Sequence, residues 1–515
     1  MNIKKCLYIG FSILLIPLVM APLSTASEGG KTIVFAQGAE PISLDPPNQT
    51  DNPSEMVVRH IHDNLVNFTE KMDIVPMLAT SWETTKDGLT WTFHLRKGVK
   101  FHDGTPFDAD AVIFNLKRVT NPKKRLKRTA LYNPFIKSFE AVDTYTVRIQ
   151  LKAPFGALLA HFAHGAGGMV SPKNWEKYQD KISLHPVGTG PYIFEEWVPG
   201  DRIVLKRNDT YWKGKPKVEK IVFTPVPEAG SRVMMLETGQ ADVAFPIPLI
   251  EVNRLRKTKG VKVITGDTAR VIYIGVNNLK KPYTDVRVRQ ALNYAVNKES
   301  IVKNILKGMA KPSKSMIGSL VWGYSPIKSY EYNPQKAKEL LAEAGYPNGF
   351  EASLWTPEGR YPMDAQISEA VAGQLKKVGI TVRLRKWEWA AFIKNTRKKP
   401  EEAKYEMFLL GWAPSTGDAD WGMRPLFYSH LWAPKGSNRF YYKNPEVDKY
   451  IEEGMKTADR EKRKEVYRKA QEALVNDPPW VMLHDMVQSV GVVENLENIT
   501  VWPLEIVLVK DAYFK

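Results

Sequence analysis

Hydrophobic and polar positions along this chain follow two periods, and the dominant period changes with position. "KTIVFAQG" (31–38) reads as a buried strand, followed by the Pro-rich turn "EPISLDPPNQTD". Met56, Val57, Ile61 and Leu65 then fall on one face of a helical repeat from about Ser54 to Asn67. From Pro76 the period drops to two. "LATSWETTKDGLTWTFHLRKGVKFHDGTPF" alternates and breaks at Asp87-Gly88 and Asp103-Gly104, which are hairpin signals, and "VDTYTVRIQL" and "GTGPYIFEEWVPGDRIVLKRN" continue the pattern. This stretch predicts an antiparallel β insert.

Beyond Pro282 the helical period returns in "DVRVRQALNYAVNKESIVKNILKG", "NPQKAKELLAEAG", "DAQISEAVAGQLKKVG" and "DREKRKEVYRKAQEALVND". Several open on Asp or Asn and close on Gly or Asn, the residues that cap helices. The short strands "FEASLW", "ITVRLRKWEW" and "YEMFLLGW" alternate with them, as in an α/β lobe. The tail "ITVWPLEIVLVKDAYFK" is strand-like again and is expected to cross back and complete the first lobe.

The N-terminus adds a compartment. In "MNIKKCLYIGFSILLIPLVMAPLSTAS", Lys4 and Lys5 precede an apolar stretch and then Ser24-Thr25-Ala26, the layout of a secretory signal cut after Ala26. Pro17 and Pro22 interrupt the stretch, and it falls short of the ~20 apolar residues of a membrane span. Cys6, the only cysteine, would leave with the signal, so the exported chain must rely on its core and not on disulfides. Removing 26 of 515 residues leaves 489, enough for about three compact units at ~150 residues each.

The net charge of +17 suits acidic ligands or an anionic membrane surface. The densest basic run, "LKRVTNPKKRLKR" (116–128), lacks the interleaved aromatics of a single-strand nucleic-acid groove and reads as a solvated helix and loop. Enzyme motifs are missing: the chain has no G-x-S-x-G, H-E-x-x-H, P-loop or dinucleotide fingerprint. His60 and His62 point to different helix faces, and His161 and His164 have no acidic or cysteine neighbour to complete a ligand set, so neither a metal nor a cofactor is expected.

The informative residues are aromatic. Seven of the 14 tryptophans lie between 322 and 432, and Trp412 and Trp421 bracket the small-residue loop "GWAPSTGDADW", which also holds Ser415, Asp418 and Asp420. On such a loop the indoles are expected to face a ligand, whereas Trp387 and Trp389 suit a core equally well. Arg360, beside Tyr361 in "TPEGRYPMDA", stands just before a helix, where a guanidinium takes a carboxylate bidentately. A secreted glycosidase also lines its cleft with tryptophans and paired acids, but Asp418 and Asp420 are two apart on one loop. That chemistry needs carboxyls ~5–9 Å apart across a substrate.

"PMLATSWETTKDGLTWTFHLRKGVKFHDGTPFDADAV", "PVGTGPYIFEEW" and "PYTDVRVRQALNYAVNKESI" resemble the extracellular solute-binding proteins of peptide- and nickel-type ABC transporters, over essentially the whole mature chain. The resemblance implies a two-lobed periplasmic-binding-protein fold of α/β class, with a β-rich subdomain inserted in the first lobe. Its expected parts are 27–72 and 188–280 for the first lobe, 73–187 for the insert, 281–485 for the second lobe and 486–515 for the returning tail. It further implies a monomeric periplasmic receptor that closes on a ligand and presents it to an inner-membrane permease, breaking no bond. Arg360 matches the arginine that holds the ligand carboxylate in dipeptide-binding members. Those members place an ammonium-binding aspartate where this chain has Ser415, which leaves Asp418 and Asp420 as candidate partners. "GWAPSTGDADWGMRPLF" looks most like the glutathione-binding members. The expected ligand is therefore glutathione ahead of ordinary di- and oligopeptides, with nickel chelates or haem behind them.

Overall fold

The computed structural model describes residues 31–124 and 126–515. The expected signal segment, 1–26, lies outside the described residues. The fold is mixed α/β. Ten strands make one continuous sheet in the order Thr381–Trp387, Glu351–Pro357, Met407–Trp412, Val261–Val276, Trp480–Val493, Val243–Phe245, Thr32–Gln37, Lys220–Pro225, Arg202–Arg207 and Tyr192–Val198. An eleventh, Ala310–Pro312, pairs on the side of Trp480–Val493.

Two of these strands set the architecture. Val261–Val276 and Trp480–Val493 are 16 and 14 residues long, beyond the usual 3–10. They run antiparallel from Val261 opposite Val493 to Gly275 opposite Trp480, and their register slips between Asp267 and Val271. Before the slip, the ladder is joined by Val243–Phe245 and the first-lobe strands. After it, Val271 to Val276 pair with Trp412 to Met407 of the second lobe. Each crossing strand thus belongs to both lobes. The slip lies N-terminal to residue 280, where the composition changes.

In the first lobe, parallel strands Thr32–Gln37, Lys220–Pro225 and Val243–Phe245 lie beneath the helix Asn52–Ile61. Asp51 caps that helix by accepting from Ser54 N, and Met56, Val57 and Ile61 are buried on it, but it stops at Ile61, short of the expected Asn67, and Leu65 falls in the connection to the strand Val66–Phe68. The tail returns here: Asn52 Nδ2 donates to Leu504 O at 3.1 Å, and Val509 N donates to His60 Nε2 at 3.2 Å. The insert is a four-stranded antiparallel sheet, Ala79–Thr84, Thr90–Leu95, Thr146–Leu151 and Ile136–Asp143, packed against the helix Ala109–Thr120. One residue of the basic run departs from the solvated reading. Arg118 is buried, bidentate to Asp45 and stacked on Trp175, because the inner face of that helix needs a cation for the buried carboxylate.

Alternation along the crossing strand gives the second lobe two cores. Ile272 and Ile274 join Leu409 and the helices Val286–Ala295, Pro334–Glu343 and Asp364–Lys376. Tyr273 faces the other way with Phe408 and Leu410, toward the helices Ala419–Phe427, Pro445–Lys456 and Arg460–Asn476. The lobes touch where the insert meets this second layer. Gly156 N donates to Met455 O at 2.9 Å, Arg460 pairs with Asp73 at 3.4 Å, and the His161 ring meets Trp421 edge-on at 6.2 Å.

Gly156 is required at that edge, because a Cβ there would sit 2.2 Å from Thr457 O and 2.8 Å from Arg463 Cδ. Gly156→Ala should wedge the insert away from residues 455–463. Small-angle X-ray scattering is expected to give a larger radius of gyration than wild type, and an unchanged radius would place this edge apart in solution.

Candidate functional site

The loop that carries Arg360 leaves the sheet after Glu351–Pro357, and Glu358 N is held by Trp387 O at 3.0 Å. Asp364, buried at the start of the next helix, accepts from Arg360 N at 2.9 Å, Tyr361 N at 3.0 Å and Gly359 N at 3.3 Å. One carboxylate therefore fixes the loop's backbone. The Arg360 side chain is left exposed, its guanidinium 4.9 Å from the Tyr361 ring and 5.1 Å from the Trp389 ring. No carboxylate lies within ion-pair distance of it among the described residues. Tyr361 itself is buried and accepts from Gly411 N at 3.0 Å, which joins this loop to the strand that ends at Trp412.

The 412–421 loop is held by ion pairs. Trp412 Nε1 donates to Trp421 O at 2.9 Å, so the two indoles are joined across the loop, each half-buried. Asp418 caps the helix Ala419–Phe427 through Asp420 N at 2.8 Å, and it takes both Arg463 Nη atoms at 2.7 and 2.5 Å. Asp420 is fully buried against Arg424, whose Nε and Nη2 approach at 2.9 and 2.7 Å. Burial alone pushes the Asp420 carboxyl up, but the Arg424 guanidinium holds it below its ordinary value. Gly417, at φ 62°, brings the loop against Met72 of the first lobe, where a Cβ would lie 2.1 Å from Met72 Cε.

The sequence expected Asp418 and Asp420 to await an ammonium; in the structure each faces a guanidinium of the chain's own. The reason is burial: a carboxylate this deep needs a matched charge, and Arg424 at i+4 and Arg463 supply it. Arg424 was legible at helical spacing from Asp420. Arg463, 45 residues away, gave no signal. What the loop leaves without partners are the buried Ser415 Oγ and Thr416 Oγ1.

The four histidines weighed as ligands are all buried, and each bonds backbone. His60 Nδ1 meets Met56 O at 2.7 Å, His62 Nδ1 meets Met169 O at 2.9 Å, His161 Nδ1 meets Leu131 O at 2.6 Å, and His164 Nδ1 accepts from Ala166 N at 2.9 Å. Among the described residues no three His, Cys, Asp or Glu side chains are grouped to hold a metal. An open hollow of about 600 Å³ near Asn444, Tyr450, Lys469 and Asn476 contains no residue of the Arg360 loop or the 412–421 loop.

Two lobes sharing one sheet through two crossing strands, with aromatic and cationic loops at their junction, define a two-lobed solute-binding protein. The profile described as "Bacterial extracellular solute-binding proteins, family 5 Middle" matches residues 73–433. The glutathione-binding protein GsiB of Pectobacterium atrosepticum is 37% identical over 455 residues, 88% of each chain. Among solved structures, HbpA2 from Haemophilus parasuis has a TM-score of 0.84 at 28% identity, covering 94% of this chain and 100% of that one. The ABC transporter-associated periplasmic binding protein DppA from Helicobacter pylori, in complex with peptide STSA, has a TM-score of 0.78 at 31% identity, covering 94% and 98%. The chain belongs to the family 5 bacterial extracellular solute-binding proteins.

Two predictions test this electrostatic reading. Asp418→Asn leaves Arg463 buried without its anion and should lower unfolding stability by about 3–5 kcal/mol in urea titrations. A loss below ~1 kcal/mol would mean that the pair is dispensable. The second concerns acid. Burial lowers His60, His62 and His164 to about 3 and His161 to about 4, below the unfolded value of ~6.5, so protonation favours the unfolded chain. Their contribution is complete above about pH 6.5 and is lost as pH falls toward 4 and 3. Melting temperature should drop steeply across that interval, and a flat profile down to pH 4 would contradict it.

Proposed function

We propose that this protein is the substrate-binding component of an ABC importer. It encloses a short peptide between its lobes, glutathione in preference to ordinary dipeptides, and presents it to an inner-membrane permease. The observation that carries this reading is Arg360: an exposed guanidinium, braced by two aromatic rings on a backbone fixed by Asp364, with no anion of its own. It is suited to a ligand carboxylate. The register slip at Asp267–Val271 serves as the hinge, and ligand contacts made only in the closed form drive closure. Residues 1–26 act as the export signal that places the receptor in the periplasm as a monomer.

Within the site, Trp412 and Trp421 offer aromatic surface, Tyr361 braces Arg360, and Ser415 receives the ligand amine. Asp418 and Asp420, each paired to an arginine, act on that amine only by fixing the loop that carries Ser415. That balance bears on the ligand. With both aspartates matched by arginines and Arg360 unmatched, the site is net cationic, and it favours a peptide with more carboxylates than ammonium groups. Glutathione has two and one, whereas a simple dipeptide has one of each. The likeness to glutathione-binding GsiB supports the same choice.

Arg360→Ala should weaken glutathione binding by about 2–5 kcal/mol, well over tenfold, in calorimetry. An unchanged Kd would remove Arg360 from the site. Dialanine should bind at least ~10-fold more weakly than glutathione, and Ser415→Asp should narrow that gap by supplying an anion for the amine. Equal affinities on wild type would end the glutathione assignment.

A further inference from the structure

The basic run between 116 and 128 takes no part in the ligand site, and it folds against the segment 42–48. Arg118 is the hub: it holds Asp45 and stacks on Trp175 at 4.4 Å. Lys124 lies over the same indole at 5.2 Å. Phe114, 6.4 Å from that indole between ring centres, stands three residues before Lys117 on one helix face. Lys127 N donates to Asn48 Oδ1 at 3.3 Å and Arg128 N to Pro47 O at 2.9 Å. At the other end of the segment Ser43 Oγ lies 3.1 Å from Ser183 Oγ, which also accepts from Leu44 N at 2.9 Å. These contacts gather the run, the helix Pro172–Tyr178 and the turn Gln179–Leu184 into one surface region.

That region is cationic and tipped with apolar side chains. Lys117, Lys123, Lys124, Lys127, Lys177 and Lys181 are exposed, and none has a carboxylate within ion-pair distance among the described residues. Asp110, Glu176 and Asp180 are the exposed acids on the same elements, so the lysines outnumber them. Cations on other surfaces differ: Arg148, Lys220 and Arg254 each meet a glutamate. Ile42 is 63% exposed and Leu184 51%, one on either side of the Ser43–Ser183 contact. In a 3₁₀ turn positions three apart eclipse, so Lys181 and Leu184 project to the same side. Flexible cationic stems beside bare aliphatic tips are the pattern of a segment that lies in a membrane interface.

We infer that this face of the molecule docks on an anionic phospholipid surface, with the lysines at the headgroup phosphates and Ile42 and Leu184 entering the acyl boundary. Lysine is a compact charge on a flexible stem and suits a fluid layer of phosphates, whereas the carboxylates of a protein partner favour the fixed fork of arginine. The two apolar tips stand out from the surface and need a partner that yields around them. The inference goes beyond ligand capture and rests only on the proposed export, which brings the chain to the membrane that holds the permease. A receptor attached in this way stays close to its permease between ligands.

The test is flotation of the mature chain with vesicles of phosphatidylcholine, with and without phosphatidylglycerol. Wild type should bind the anionic vesicles at least ~10-fold more than the neutral ones and come off in high salt. Lys124→Glu with Lys127→Glu should lower that binding ~10-fold, and Ile42→Ser with Leu184→Ser ~3-fold. Lys338→Glu with Lys449→Glu makes the same charge change on exposed lysines of the second lobe and should stay within ~2-fold of wild type. All six positions are exposed, so every variant should melt as wild type does. The inference is overturned if wild type shows no preference for anionic vesicles, if the second-lobe pair costs as much as the Lys124 and Lys127 pair, or if the apolar pair costs nothing. Variants of this face that bind vesicles as wild type does but slow ligand uptake in permease proteoliposomes would assign the face to the permease instead. Flotation does not depend on ligand affinity, so failure of the glutathione assignment leaves its result unaffected.

Discussion

The antiparallel ladder between Val261–Val276 and Trp480–Val493 carries both lobes, and the rest of the molecule depends on where it breaks. The pairing is irregular at Asp267–Val271 and again at Ile272–Tyr273, so the ladder divides into a first-lobe run, Val261 to Asp267, and a second-lobe run from Tyr273 onward. The first residue past the slip, Val271, pairs with Trp412. The 412–421 loop is therefore anchored at the first ladder position past the slip.

Charge organises the loop that follows. Asp418 and Asp420 do not present free carboxylates; they recruit Arg463 and Arg424 into a neutral set whose energy depends on remaining paired. This set holds the first turn of the helix Ala419–Phe427 and keeps Trp421 against the insert through His161. The paired charges on this loop build its shape.

Much of this fold was legible in the sequence. The 56, 57, 61 spacing, the Asp-Gly turns of the insert and the Asn and Asp caps all reappear as elements, since each depends on local periodicity or on a single capping bond. The Arg360 loop was legible as a loop before a helix but not for its brace, because Asp364 acts through backbone amides that leave no compositional trace. The crossing strand was read less well. A strand that serves two lobes shows no change of pattern at the slip, so composition places a boundary near 280, where the helices begin. Arg463 was invisible for another reason: whether an arginine has a partner depends on tertiary neighbours, and a basic chain has many arginines to choose from.

The returning tail has a consequence for the order in which the molecule is built. Val509 bonds His60 across 449 residues of sequence, and Thr32–Gln37 waits for strands near 220 and 243 before it has neighbours. Contacts this distant must close long loops before they return any stabilisation, which makes folding slow, and a lobe begun by the first residues is finished by the last. The second lobe, with its intervening helices and strands, can take shape earlier. A nascent chain of this topology stays open at its N-terminal end until synthesis is complete, the state in which a polypeptide is most easily threaded across a membrane.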